Sequence, residues 1–202
     1  FEANSAAKLE KMGYAMALAL ELVQQVEGYD KYEQMLAGFD KIFEVCENAA
    51  QSARKAAKKF AEQYKDAPVV YIMSSGASAE VAYSSSICLM MEMQWINSCS
   101  FHAGEFFHGP FEITDPDTAF LLLKSTGKTA ALDERAIRFL SRYNRHLTVI
   151  DGEKYGLKEL GDVSGYYDYD FYNCMLAVYN KLLADMRNHP LSKRKYMWKY
   201  NY

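Results

Sequence analysis

Val69-Val70-Tyr71-Ile72-Met73-Ser74-Ser75-Gly76-Ala77-Ser78 is a short apolar run that ends in a Gly/Ser turn and opens into a helical pattern. Unbroken strand formers of this kind suit a strand covered on both faces, not one with a wet side. Backbone N–H groups and hydroxyls at the start of the next helix suit a phosphate or the hydroxyls of a sugar. The pattern recurs downstream. Thr118–Leu123 reads as a strongly buried strand, followed by a Gly-containing loop and a helix over 133–143. His146–Ile150 reads as a further strand, 98–101 as a weaker one, 166–169 as a candidate last one and 171–186 as the closing helix. Strands alternating with helices predict an α/β fold, a three-layer α-β-α sandwich around a parallel sheet. Ligands of such sheets sit at the carboxyl ends of the strands.

Upstream of this unit the spacing predicts only helices, over 5–27, 30–47 and 49–64, and Asp66-Ala67-Pro68 breaks the pattern. The expected division is therefore a helical segment 1–64 and an α/β domain 65–202, with a tail from 190 to 202. Helix 5–27 carries Met16, Leu18, Leu20, Leu22, Val23 and Val26, apolar on more than one side, and so asks for a covering partner.

The chain has 202 residues, half of them apolar and 24% charged, with a formal net charge of −3. That composition is globular and gives no general pull toward nucleic acid or anionic membrane. No apolar run reaches the roughly 20 residues that a membrane helix needs. Cys46, Cys88, Cys99 and Cys174 lie far apart with no C-x-x-C spacing. They predict four buried, reduced thiols, no metal site and, by default, the cytoplasm.

The second informative stretch is His102-Ala103-Gly104-Glu105-Phe106-Phe107-His108-Gly109-Pro110. Titratable groups crowd a Gly-Pro turn there, among aromatics that a core helix would use otherwise. Sixteen residues before His108, Glu92 is the single acid of an apolar run, Ser86 to Trp95. A carboxylate among apolar walls is suited to removing a proton from carbon, and a nearby histidine to protonating an oxygen or amine near neutral pH. Against this stands the plainer reading of a paired glutamate and a histidine satisfied by backbone. Ser125-Thr126-Gly127-Lys128-Thr129 is not a P-loop, because Leu122 stands where Walker A needs glycine.

These residues resemble the sugar isomerase (SIS) domains of phosphosugar isomerases, flavodoxin-like domains in which a helix-end Glu and the His of Gly-Glu-x-x-His-Gly-Pro transfer protons. The resemblance implies that Glu92 and His108 are catalytic. Glu105 and Gly109 then face the substrate. It also implies substrate contacts from Ser75, Gly76 and Ser78, matching Gly-x-Gly-x-Ser-x-x-x-Ala except that Ser74 replaces the first Gly. Thr126 and Thr129 fit half of Ser-x-Ser-Gly-x-Thr, with Lys124 in place of the first Ser. Relatives fold a C-terminal tail over the site, and amidotransferase members use a tail lysine, for which Lys195 is the candidate. Met91-Glu92-Met93-Gln94-Trp95 and the basic, aromatic ending look most like the fructosamine-6-phosphate deglycases. These release glucose 6-phosphate and an amine without a cofactor. The alternatives are an aldose–ketose isomerase, the isomerase half of an amidotransferase, or a non-catalytic sugar-phosphate binder. The family also implies a homodimer or higher oligomer. Its tandem SIS architecture implies that 1–28 is the last helix of a preceding SIS domain.

Overall fold

The computed structural model describes residues 10–201. Helix α1 (Glu10–Val26) is followed by α2 (Tyr32–Tyr64), a single helix of 33 residues where the sequence suggested two. Asn48 falls between the two expected helices. It lies on the exposed side, and the buried stripe Met35, Ile42, Val45, Ala49, Ala53, Ala57, Phe60 and Tyr64 runs past it at helical spacing.

Four strands follow: β1 (Val69–Ser74), β2 (Asn97–His102), β3 (Ala119–Lys124) and β4 (Leu147–Asp151). They form one wholly parallel sheet in the order β2-β1-β3-β4, with Ile72 opposite Ser100 on one side and Leu121 on the other. Between β1 and β2 the chain forms α3 (Ala79–Ser84), which continues as a nine-residue π-helix, Ser85–Met93. Helix α4 (Ala130–Tyr143) links β3 to β4, and α5 (Asp168–Met186) closes the fold. The candidate strand 166–169 is not a strand. Leu157–Tyr166 is a kinked 3-10 segment that leads directly into α5, and its tyrosines face helices instead of a strand neighbour.

Alternation along the strands sends side chains to two cores. Val70, Ile72, Ala119, Leu121, Leu123 and Ile150 pack under α2, α3 and α5, so α2 is a wall of the same core as the sheet. Met73, Phe120 and Leu122 meet α4 and a second aromatic set, Phe106, Phe107, Phe111 and Phe139. Each fully buried side chain of this size is worth about 1.5–3 kcal/mol relative to exposure, and both faces of β1 and β3 gain it. Buried tyrosines bind the layers further. The Tyr64 hydroxyl reaches the carbonyls of Phe120 and His146 at the sheet, and that of Tyr167 donates to Met35 O on α2.

Helix α1 packs chiefly along α2, leaving Leu18, Leu22 and Val26 at 63%, 64% and 71% exposure. Of the four cysteines only Cys46 is buried; Cys99 is exposed on edge strand β2, contrary to the expectation that all four are covered.

Candidate active site

Glu92 sits in the last turn of the π-helix. Helical segments with this wide turn are rare and concentrate at functional sites. The turn ends where the backbone N–H groups of Gln94 and Ile96 donate to the carbonyls of Leu89 and Met90, and Trp95 adopts a left-handed φ of 55°. Against this end lies the C-terminal tail. Arg194 Nε stands 2.8 Å from Glu92 Oε1, the two side chains 9% and 24% exposed. The approach is ionic and not a directed hydrogen bond, because the Nε–H is not aligned on the carboxylate. Met91, Glu92, Trp95 and the tail residues Arg194, Lys195, Tyr196 and Met197 line a cleft of about 460 Å³. The structure thus brings Glu92 and Lys195 to one cleft, and Arg194 is the member that sequence reasoning passed over.

His108, Glu105 and Gly109 lie elsewhere. After β2 the chain makes two 3-10 turns, Phe106–His108 and Pro110–Ile113, joined at Gly109 with φ +153°. Phe106 is buried in the aromatic core, and the guanidinium of Arg135 caps Phe107 at 4.0 Å; Glu105, His108 and Gly109 are left at the surface. Glu92 precedes the amino end of β2 and His108 follows its carboxyl end. At roughly 3.3 Å per residue the six-residue strand between them is on the order of 17 Å long. The Glu92 cleft contains no residue of the 102–110 turn.

The third group fills the crevice between β1 and β3, where the strand order reverses and open sheets take ligands. Ser75, Ser78, Thr126 and Thr129 gather here with Gly76, whose φ of +60° and lack of a Cβ admit the Thr129 hydroxyl. Their hydroxyls are engaged by the protein itself. Ser75 Oγ donates to Asp133 Oδ2 at 2.8 Å, as does Ser125 N. Ser125 Oγ and Thr126 Oγ1 donate to Asp168 at 2.6 and 2.7 Å, with Thr126 N adding a bond at 3.1 Å. Ser78 Oγ bonds Ser74 Oγ and Ser75 O. Two internal carboxylates therefore take up the hydroxyls and N–H groups of this crevice, and an anion bound there would have to displace them. Burial pushes the Asp133 carboxyl up to about 6, against the lowering effect of its hydrogen bonds, and raises that of Asp168. Nearby, Lys124 pairs with Glu134, Asp151 and Glu153 at 3.5, 3.6 and 3.7 Å. Burial opposes its charge, yet the three carboxylates together hold its pKa above the usual lysine value. Asp133 and Asp168 were not singled out in the sequence. The available signal was their position, in the first turns of helices that begin beside strand ends.

Among the described residues there is no cluster of acidic, histidine or cysteine side chains able to hold a metal, and no helix long and apolar enough to cross a membrane.

No family model matches the chain. It is 42% identical over 191 residues to the fructosamine deglycase FrlB of Bacillus subtilis, covering 94% of this chain and 58% of that protein. It is 34% identical over 84 residues to the fructoselysine 6-phosphate deglycase of Escherichia coli K12, 42% of this chain and 25% of that protein. A crystal structure from Salmonella typhimurium LT2, described as a phosphosugar isomerase, superposes with a TM-score of 0.93 at 45% identity. That match covers the whole of this chain and 64% of the other. The chain thus spans about three fifths of the length of the Bacillus subtilis protein and of the Salmonella typhimurium structure. Over that span it has the fold of the phosphosugar isomerase structure, the parallel three-layer arrangement of a sugar isomerase domain.

Proposed function

We propose that the protein is a phosphosugar deglycase, which hydrolyses a fructosamine 6-phosphate to glucose 6-phosphate and an amine. The observation that carries this is Glu92, a carboxylate half-withdrawn from water in a cleft shared with Lys195 and closed by the tail. The 42% identity to a fructosamine deglycase supports the choice of chemistry. In the proposed reaction Glu92 removes a proton from C1 of the ketosamine, while the C2 oxygen gains one, giving the enaminol. Returning the proton to C2 leaves a protonated imine between C1 and nitrogen. Water adds to C1, the C–N bond breaks, and the amine departs with a proton, for which His108 is the proposed donor. No cofactor is required. Lys195 is proposed to meet the substrate from the tail, and Glu105 and Gly109 to accompany His108.

Because β2 separates Glu92 from His108 within one copy, the two are proposed to act together across a homodimer, each copy lending its 105–109 turn to the other. The uncovered apolar side of α1 is consistent with association. The crevice residues Ser75, Gly76, Ser78, Thr126 and Thr129 remain substrate contacts only in a form where Asp133 and Asp168 give way. Four cysteines without C-x-x-C spacing suit a cytoplasmic enzyme.

The test supplies phosphorylated fructosamines to the intact protein and follows glucose 6-phosphate. Interconversion of simple aldose and ketose phosphates, with no glucose 6-phosphate from any fructosamine, would assign a plain isomerase instead.

A further inference from the structure

Residues 190–201 turn back across the end of the π-helix, and little holds them there. None of them is buried as a residue. The hydrogen bonds described for this tail all close within it: Lys193 N to Pro190 O, Lys199 N to Tyr196 O, Arg194 Nη1 to Leu191 O and Lys193 O, and Lys199 Nζ to Arg194 O. Its polar attachment to the rest of the described chain is the ion pair of Arg194 with Glu92, assisted by the Lys193 ammonium 5.1 Å above the Trp95 ring.

The pair is unequal in a useful way. Arg194 is anchored on its own side by two tail carbonyls, so the tail's fold sets where the guanidinium stands. Glu92 has no hydrogen bond from the described residues, so Arg194 is what fixes its carboxylate. Removing either partner leaves the other charge unpaired and partly withdrawn from water, and the cost is greater for the better-buried Arg194. A proton-transfer group displaced by even about 1 Å loses much of its effect.

We propose that Arg194 is a positioning residue for Glu92, a latch that sets the carboxylate only when the tail is docked. The proposal rests on the reading of Glu92 as the base. Proton abstraction is then tied to tail closure: an undocked tail takes away both Lys195 and the group that aims Glu92.

The experiment uses the intact protein and two readouts. Hydrogen exchange of 190–201 is compared for wild type, Arg194→Gln, Glu92→Gln and the double variant. Turnover of a fructosamine 6-phosphate is compared for wild type, Arg194→Gln and Arg194→Lys. Each single substitution should speed tail exchange at least about tenfold, and the double variant no further, since one contact is lost in all three. Arg194→Gln should lower kcat by roughly tenfold to a hundredfold with a smaller change in KM. Arg194→Lys should recover part of kcat. Unchanged tail exchange in either single variant overturns the latch. A loosened tail with kcat within about twofold of wild type overturns the positioning role. A wild type that converts no fructosamine phosphate, with the tail loosened by both substitutions, is the signature of a failed deglycase reading and leaves the latch standing.

Discussion

Asp170 lies in the first turn of α5 with Oδ1 buried and unpartnered, and burial pushes its carboxyl up to about 6. The folded state therefore holds this proton more tightly than the unfolded chain, whose aspartates titrate near 3.9. Its contribution to stability is complete below about pH 4 and is lost as pH rises through about 6, by roughly 2–3 kcal/mol. Asp170→Asn carries no such loss. Its stability relative to wild type in urea titrations should rise by about that amount between pH 4 and pH 7.5. A difference that stays flat across this range would show that the carboxyl titrates normally. Glu92→Gln makes the companion prediction for chemistry. The amide keeps the shape of the side chain and removes the base, so kcat should fall by about 10²–10⁴-fold while substrate still binds. Normal turnover would remove Glu92 from the mechanism.

At the level of elements, the junction of α2 with α5 is set by Gly38. A Cβ placed there would stand 2.5–2.6 Å from the ring and hydroxyl of Tyr167, which is buried and tied to Met35 O. Gly38→Ala should cost about 1–3 kcal/mol, read as a lower urea midpoint at unchanged m-value. An unaltered midpoint would mean that Tyr167 can swing aside. Strands 69–73, 118–123 and 146–150 were legible in the sequence, because a parallel strand buried on both faces must be an apolar run. The closing segment was not. Tyr166, Tyr167 and Tyr169 are good strand formers, but Gly165 packs its Cα against Gly127 and turns the chain into a 3-10 path. Glu92 stood out because a lone acid in an apolar run is conspicuous. Asp133, Asp168 and Arg194 did not, since charged residues among other polar ones reveal their partners only when distant segments meet.

In the whole molecule, the apolar side of α1 and the placement of Glu92 and His108 at opposite ends of β2 both argue for association. Leu22→Glu, on the exposed side of α1, should shift sedimentation toward the monomer and lower turnover if the proposed site spans two copies. A monodisperse monomer in wild type at high concentration would exclude that arrangement. The chain has two tryptophans; the fold puts Trp95 in the cleft wall and Trp198 in the tail just beyond it. Trp95 stands edge-on to His189 with centroids 4.6 Å apart, and the ring of Trp198 lies 5.5 Å from the Arg194 guanidinium. Emission excited selectively in indole is therefore a local signal from the tail and the cleft it covers, with no tryptophan in the sheet. Burial, with Lys193 and Arg187 nearby, keeps the His189 imidazole below its usual pKa. It is therefore uncharged at neutrality, and a charged imidazole quenches indole. Emission should hold steady at neutral pH, dim in acid, and shift in colour whenever the tail leaves its seat, an optical gauge of closure that needs no label.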